Sequence, residues 1–151
     1  MADDMVNITI DSAKLMAALK RLAAAGHDLT PAMRKAAGIM ADSVEENFEQ
    51  EGRPKWKSLA ASTLLQRARE GSTGKILQRS GNLAKSITRH SDATSAVVGT
   101  NTIYARIQQL GGKAGRGHKV EIPARPFLKL TPEDEEKIIK SFNMFLSQAV
   151  G

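Results

Sequence analysis

The chain has 151 residues, 41% of them apolar but only 4% aromatic, so one domain spanning 1–151 is expected, its core built from Ala, Leu, Ile, Val and Met with few large anchors. It contains no cysteine, which excludes disulfides, thiolate nucleophiles and cysteine-based metal sites and fits a cytoplasmic protein. The formal charge is +6, yet 51–130 carries 15 Lys/Arg against 4 Asp/Glu, a net +11, while the two flanks together carry 7 against 12, a net −5.

The acidic start, MADDMVNITID, lacks the basic residues that open a signal peptide, and no apolar run approaches the ~20 residues that span a bilayer. Neither export by such a signal nor a membrane location is expected. Val6, Ile8 and Ile10 alternate with Asn7 and Thr9, the period of a half-buried strand. With Asp11 or Ser12 as cap, Leu15, Leu19 and Leu22 recur at helical spacing, and Gly26 is placed to close that first helix. A second helix begins with Thr30 as cap and Pro31 at its first position, then carries Met33, Ala37, Met40, Val44 and Phe48 on one stripe to about Gly52. Gly38 weakens it by roughly 1 kcal/mol against alanine, and is read either as a point of close approach or as a plain surface glycine.

Residues 53–74 change character, with a proline turn, the single tryptophan Trp56 and a short amphipathic stretch around Leu64 and Leu65. They predict a loop holding one short helix. Ser80 then caps a helical turn that carries Leu83 and Ile87 inward. The alternation of SITRH and of Ala96, Val98 and Thr100 about the polar tip SDATS predicts a hairpin. A short helix is expected over Ile103–Leu110, ended by Gly111 and Gly112, and a strand over Lys119–Ile122. In the last helix Thr131 caps, Pro132 starts, and Glu133–Glu136 place negative charge at the positive end, ahead of a stripe of Ile138, Ile139, Phe142, Phe145, Leu146 and Ala149. The predicted class is α+β: long N-terminal helices and a C-terminal helix packed on a small antiparallel sheet, with a long mobile basic loop. Strand order is left open.

No constellation for catalysis emerges. His27, His90 and His118 lie far apart without ligand spacing, so no metal site is expected. The carboxylates of VEENFEQE and PEDEEK read as solvated helix faces, and GGKAGRG lacks the Gly-Lys-Ser/Thr ending of a phosphate loop. A non-enzymatic protein with no cofactor and no small-molecule substrate is the expectation.

The basic glycine loop is different. Between Gly111 and Lys119 small residues leave Lys113, Arg116, His118 and Lys119 without bulk around them. The segment is expected to be mobile, as a solvated hairpin tip or as an arm that orders against an acidic partner or nucleic acid. The basic middle suits a nucleic acid, an acidic protein surface or the acidic end of a neighbouring copy, and composition does not choose among them. Cations without interleaved aromatics argue against base stacking, leaving weak duplex-backbone contact, and hence a DNA-binding role in packaging or regulation, as the alternative reading. Pro123 and Pro126 fix two backbone angles so that Phe127 enters at a set angle and pins the chain to the core, with Trp56 as a further anchor. Arg125 is expected to be exposed and free to pair with a partner carboxylate.

Four blocks occur in order: WKSLAAST at Trp56–Thr63, ILQRSGNLAKSI at Ile76–Ile87, YARIQQLGG at Tyr104–Gly112 and IPARPFL at Ile122–Leu128. Together they resemble the phage virion morphogenesis family, the tail completion proteins of Mu-like and P2-like tailed phages, from about Leu15 to the C-terminus. The resemblance implies a structural protein made in the bacterial host cytoplasm and carried into the virion, where it finishes the tail or neck so that a filled head and a tail can join. It further implies self-association, as a hexameric ring on a six-fold tail axis with a monomer in dilute solution as the alternative, and contact with tail and head-connector proteins. The basic loop would then be an assembly arm and the Pro-Phe segment its anchor.

Overall fold

The computed structural model describes residues 6–7, 13–59, 63, 65, 69, 76–77, 82–102, 105–114, 117 and 120–150. Helix α1 (Ala13–Ala24) turns Leu15, Ala18 and Leu22 into the core, and Gly26 follows it at φ +73, the left-handed conformation expected there. Helix α2 (Thr30–Glu49) buries the whole predicted stripe, Met33, Ala37, Met40, Val44 and Phe48. Its start differs from expectation. The cap carboxylate belongs to Asp28, whose Oδ1 accepts from Thr30 N at 3.1 Å and Thr30 Oγ1 at 2.7 Å, so the threonine is inside the helix rather than at its cap. An acid two residues earlier serves the Thr30 amide better than a hydroxyl because its charge also meets the positive helix end.

Three strands, β1 (Val6–Asn7), β2 (Thr88–Ser91) and β3 (Ala96–Thr100), form an antiparallel sheet in the order β1-β3-β2. The predicted hairpin is β2–β3, with Thr88 opposite Gly99 and Ser91 opposite Ala96. Its tip is tied by the Asp92 carboxylate, which accepts from the backbone amides of Thr94 and Ser95 at 2.8 Å each. Short helices α3 (Asn82–Lys85) and α4 (Ala105–Leu110) flank the hairpin. Strands β4 (Gly112–Ala114) and β5 (Val120–Ile122) make a second antiparallel ribbon.

Helix α5 (Pro132–Val150) opens on a reciprocal cap: Thr131 Oγ1 accepts from Asp134 N at 3.1 Å and Asp134 Oδ2 accepts from Thr131 N at 3.0 Å. It buries Ile138 and Phe142 against α2, which touches β2 and β3 on another side. The architecture is α+β, as the sequence predicts, with the core between the helices and one face of the three-stranded sheet, where Val98 and Thr100 are buried. No helix among the described residues is long and apolar enough to cross a membrane. The expected roles of Ile8, Ile10, Asp11, Ser12, Leu64, Ser80, Ile103 and Tyr104 fall outside the described residues, while Thr63, Leu65 and Arg69 of the expected short helix are helical.

Candidate functional site

The basic segment begins as a strand rather than a loop. Gly112, Lys113 and Ala114 pair with Ile122, Glu121 and Val120, so the expectation of a loop mobile from Gly111 onward is corrected at its base. The reason is the backbone: Gly111 at φ +73 and Gly112 at φ +141 let the chain leave α4 and run straight into the ribbon. Lys113 is exposed on β4 opposite exposed Glu121, a cross-strand pair of opposite charge. Arg116, His118 and Lys119 lie outside the described residues; His27 and His90 are exposed.

Beneath the ribbon the Pro-Phe segment is fastened from several sides. Phe127 is fully buried with its ring 5.3 Å from that of Phe48, which meets Trp56 edge-on at 6.0 Å. Trp56 Nε1 donates to Pro126 O at 3.1 Å. The side chain of Gln109 acts as a short strand would: its Oε1 accepts from Phe127 N at 3.0 Å and Leu128 N at 2.9 Å, and its Nε2 donates to Leu128 O at 3.1 Å. A backbone that carries Pro126 cannot complete a regular ladder, and the amide supplies the missing partners.

Arg125 is not the exposed cation expected from the sequence. It is 7% exposed, and its guanidinium donates to Lys57 O at 3.0 Å and Ser58 O at 3.3 Å while its amide donates to Gln108 O at 2.7 Å. Its Nε and Nη2 meet loop carbonyls outside any helix or strand, so these bonds tie the 57–58 loop to the Pro-Phe segment.

A buried polar cluster joins α2, α5 and this segment. Asn47 Nδ2 donates to Phe127 O at 2.7 Å and Lys129 O at 2.9 Å, and Asn47 Oδ1 accepts from Arg53 Nε at 2.7 Å. Ser43 Oγ donates to Asp134 Oδ2 at 2.6 Å, and Arg53 Nη2 reaches the same oxygen at 3.2 Å. Burial pushes the Asp134 carboxyl up, but hydrogen bonds from Ser43 and Thr131 and the Arg53 charge outweigh it and hold the group below its ordinary value. Sequence reasoning missed Ser43, Asn47, Arg53, Gln109 and Asp134 as a unit. The available signal was two polar residues on the apolar face of α2.

Gly111 is where this rigidity is most exposed to test. A Cβ there would stand 2.7 Å from Ala124 N and 2.9 Å from Ile122 O, both backbone atoms, in a left-handed conformation. Gly111→Ala is expected to destabilise by about 1–3 kcal/mol. Hydrogen exchange should show the loss at 111–124 first; an unchanged denaturation midpoint would contradict the reading.

Among the described residues no three His, Asp or Glu side chains gather to hold a metal ion. What the described residues offer is a ribbon that carries Lys113 and Glu121 above a firmly bonded Pro-Phe segment. The sequence matches the phage virion morphogenesis family over residues 10–147. It is 47% identical to the Mu-like prophage FluMu G protein 2 of Haemophilus influenzae, over 90% of this chain and 92% of that protein. It is 31% identical to the putative capsid assembly protein G of Escherichia phage Mu over 99% of each chain, and 31% identical to the H. influenzae FluMu G protein 1 over 95% and 96%. No solved structure matches. The chain belongs to the phage virion morphogenesis family.

Proposed function

We propose that the protein is a structural, non-enzymatic subunit of phage virion assembly that completes the tail or neck and lets head and tail join. The observation that carries this is the β4–β5 ribbon, which exposes Lys113 and Glu121 and is rooted through Phe127, Gln109 and Arg125 in the core. A docking arm needs this combination, because a rigid root spares most of the ordering entropy that contact otherwise costs. The arm meets an acidic surface on a tail or connector protein or on a ring neighbour, and the subunits close as a hexameric ring in the host cytoplasm before entering the virion.

Lys113→Glu with Arg116→Glu tests this. The double variant is expected to stay folded, since Lys113 is exposed and its reversal opposite Glu121 costs only about 0.2–1 kcal/mol, while docking weakens at least about 100-fold through like-charge contact. Electron microscopy of a lysate complemented with it should show filled heads beside unjoined tails, as should a stop codon early in the gene. Joined, infective virions from the double variant would refute the docking arm, and from the stop-codon mutant would turn attention to the alternative, a DNA-binding role.

A further inference from the structure

Helix α2 carries a second unusual surface. Pro31, Lys35, Gly38, Asp42, Glu45 and Glu49 recur at alternating steps of four and three and line its outer face, the period of a helix-pairing seam. Arg34 and Lys35 make the first half of this face basic, and Asp42, Glu45 and Glu46 make the second half acidic. The arrangement opposes the helix: α2 has no acid in its first turn and no base in its last, whereas α5 in the same chain starts on Glu133, Asp134 and Glu135. Intrachain stability therefore does not explain it.

An open groove of about 350 Å³ runs along the basic half, lined by Pro31, Arg34, Lys35, Gly38, Ile39 and Asp42. Beside it a Cβ at Gly38 would lie 3.5 Å from Arg89 Nη1, so a guanidinium from β2 covers the glycine and adds a third cation. Among the described residues the one ion pair is Arg53–Asp134, and the exposed side chains of Arg34, Lys35, Asp42, Glu45 and Arg89 have no charged partner among those residues.

We infer that this face docks on the same face of a second copy of the chain, with the two α2 helices antiparallel about a two-fold axis near residue 40. In that register Arg34 and Lys35 of each copy stand opposite Glu45 and Glu46 of the other, and Gly38 with its covering Arg89 stands opposite Asp42. Arg34, Lys35 and Arg89 then each meet an acid of the other copy, while Glu49 faces Pro31. A parallel pair would set like against like. The contact is isologous and closes at two copies, so it goes beyond the docking-arm reading and does not depend on it. Built from exposed ion pairs, it is reversible and salt-sensitive.

Sedimentation of the purified full chain at low and high salt tests it. The wild type is expected to dimerise at low salt and to dissociate as salt rises. Arg34→Glu with Lys35→Glu should weaken the dimer by more than about tenfold without lowering the melting temperature, because acids are welcome near the start of a helix. The four-residue swap Arg34→Glu, Lys35→Glu, Glu45→Lys and Glu46→Lys keeps the net charge and should restore the dimer. Lys14→Glu with Lys20→Glu on exposed positions of α1 should leave it unchanged. A monomeric wild type, an unaffected double variant or a swap that fails to restore pairing would each overturn the inference, and none of these bears on head-to-tail joining.

Discussion

Phe127→Ala is expected to lower the stability of the protein by about 3–5 kcal/mol, among the largest effects available to a single substitution here. Phe127 is fully buried, and its ring is one end of a short aromatic column centred on Phe48 in a chain that has only four phenylalanines, one tyrosine and one tryptophan. Small neighbours cannot collapse into the space it leaves, because Phe48 is held by Trp56 and the segment itself by Asn47 and Gln109. Its own backbone bonds survive the change, so the loss measures packing rather than hydrogen bonding. For a domain of this size the melting temperature should fall by roughly 6–20 °C. Phe127→Leu, which keeps most of the volume, should cost about 1–2 kcal/mol. A loss below that of the leucine variant would mean that the ring does not anchor the ribbon.

The helices were legible because their signals are local. The stripe from Met33 to Phe48, the acidic start of α5 and the alternation of Val98 and Thr100 each lie within a single helix or strand, and all are buried or placed as that spacing requires. The candidate site was less so, because its determinants are distant in sequence. Arg125 was read as exposed since isolated arginines usually are, and its acceptors on Lys57 and Ser58 stand 68 and 67 residues away. The strand Gly112–Ala114 was read as loop because glycine and alanine carry little strand preference, and its pairing is fixed from outside by the rigid return at Ile122. Ser43 and Asn47 occupy apolar positions of α2, where a polar residue signals a buried partner without naming it. Those partners, Arg53, Asp134 and the Phe127 carbonyl, come from three other parts of the chain.

Asp134→Ala should cost about 3 kcal/mol, through two separable effects. The first is the helix cap: Thr131 N loses its acceptor and α5 loses the negative charge nearest its start, together worth about 1 kcal/mol. The second is the ion pair, where Arg53, 18% exposed, is left with a charge that Asn47 Oδ1 and Ser43 O only partly satisfy. That partial exposure brings this loss to about 2 kcal/mol, below the ~3–5 kcal/mol range for fully buried pairs. Asp134→Asn retains an acceptor for Thr131 and should lose less, which separates cap from charge. The same carboxylate gives a pH signature. Its folded value lies below the unfolded one, so its stabilisation is complete above the ordinary carboxylate range and is lost as pH falls through the folded value. Denaturation midpoints of the wild type should therefore fall on acidification further than those of either variant, since the variants have no Asp134 proton to take up. Parallel pH profiles for all three would mean that the Asp134 carboxyl titrates alike in the folded and unfolded chain, and its charge would then contribute nothing to the junction of α2, α5 and the Pro-Phe segment.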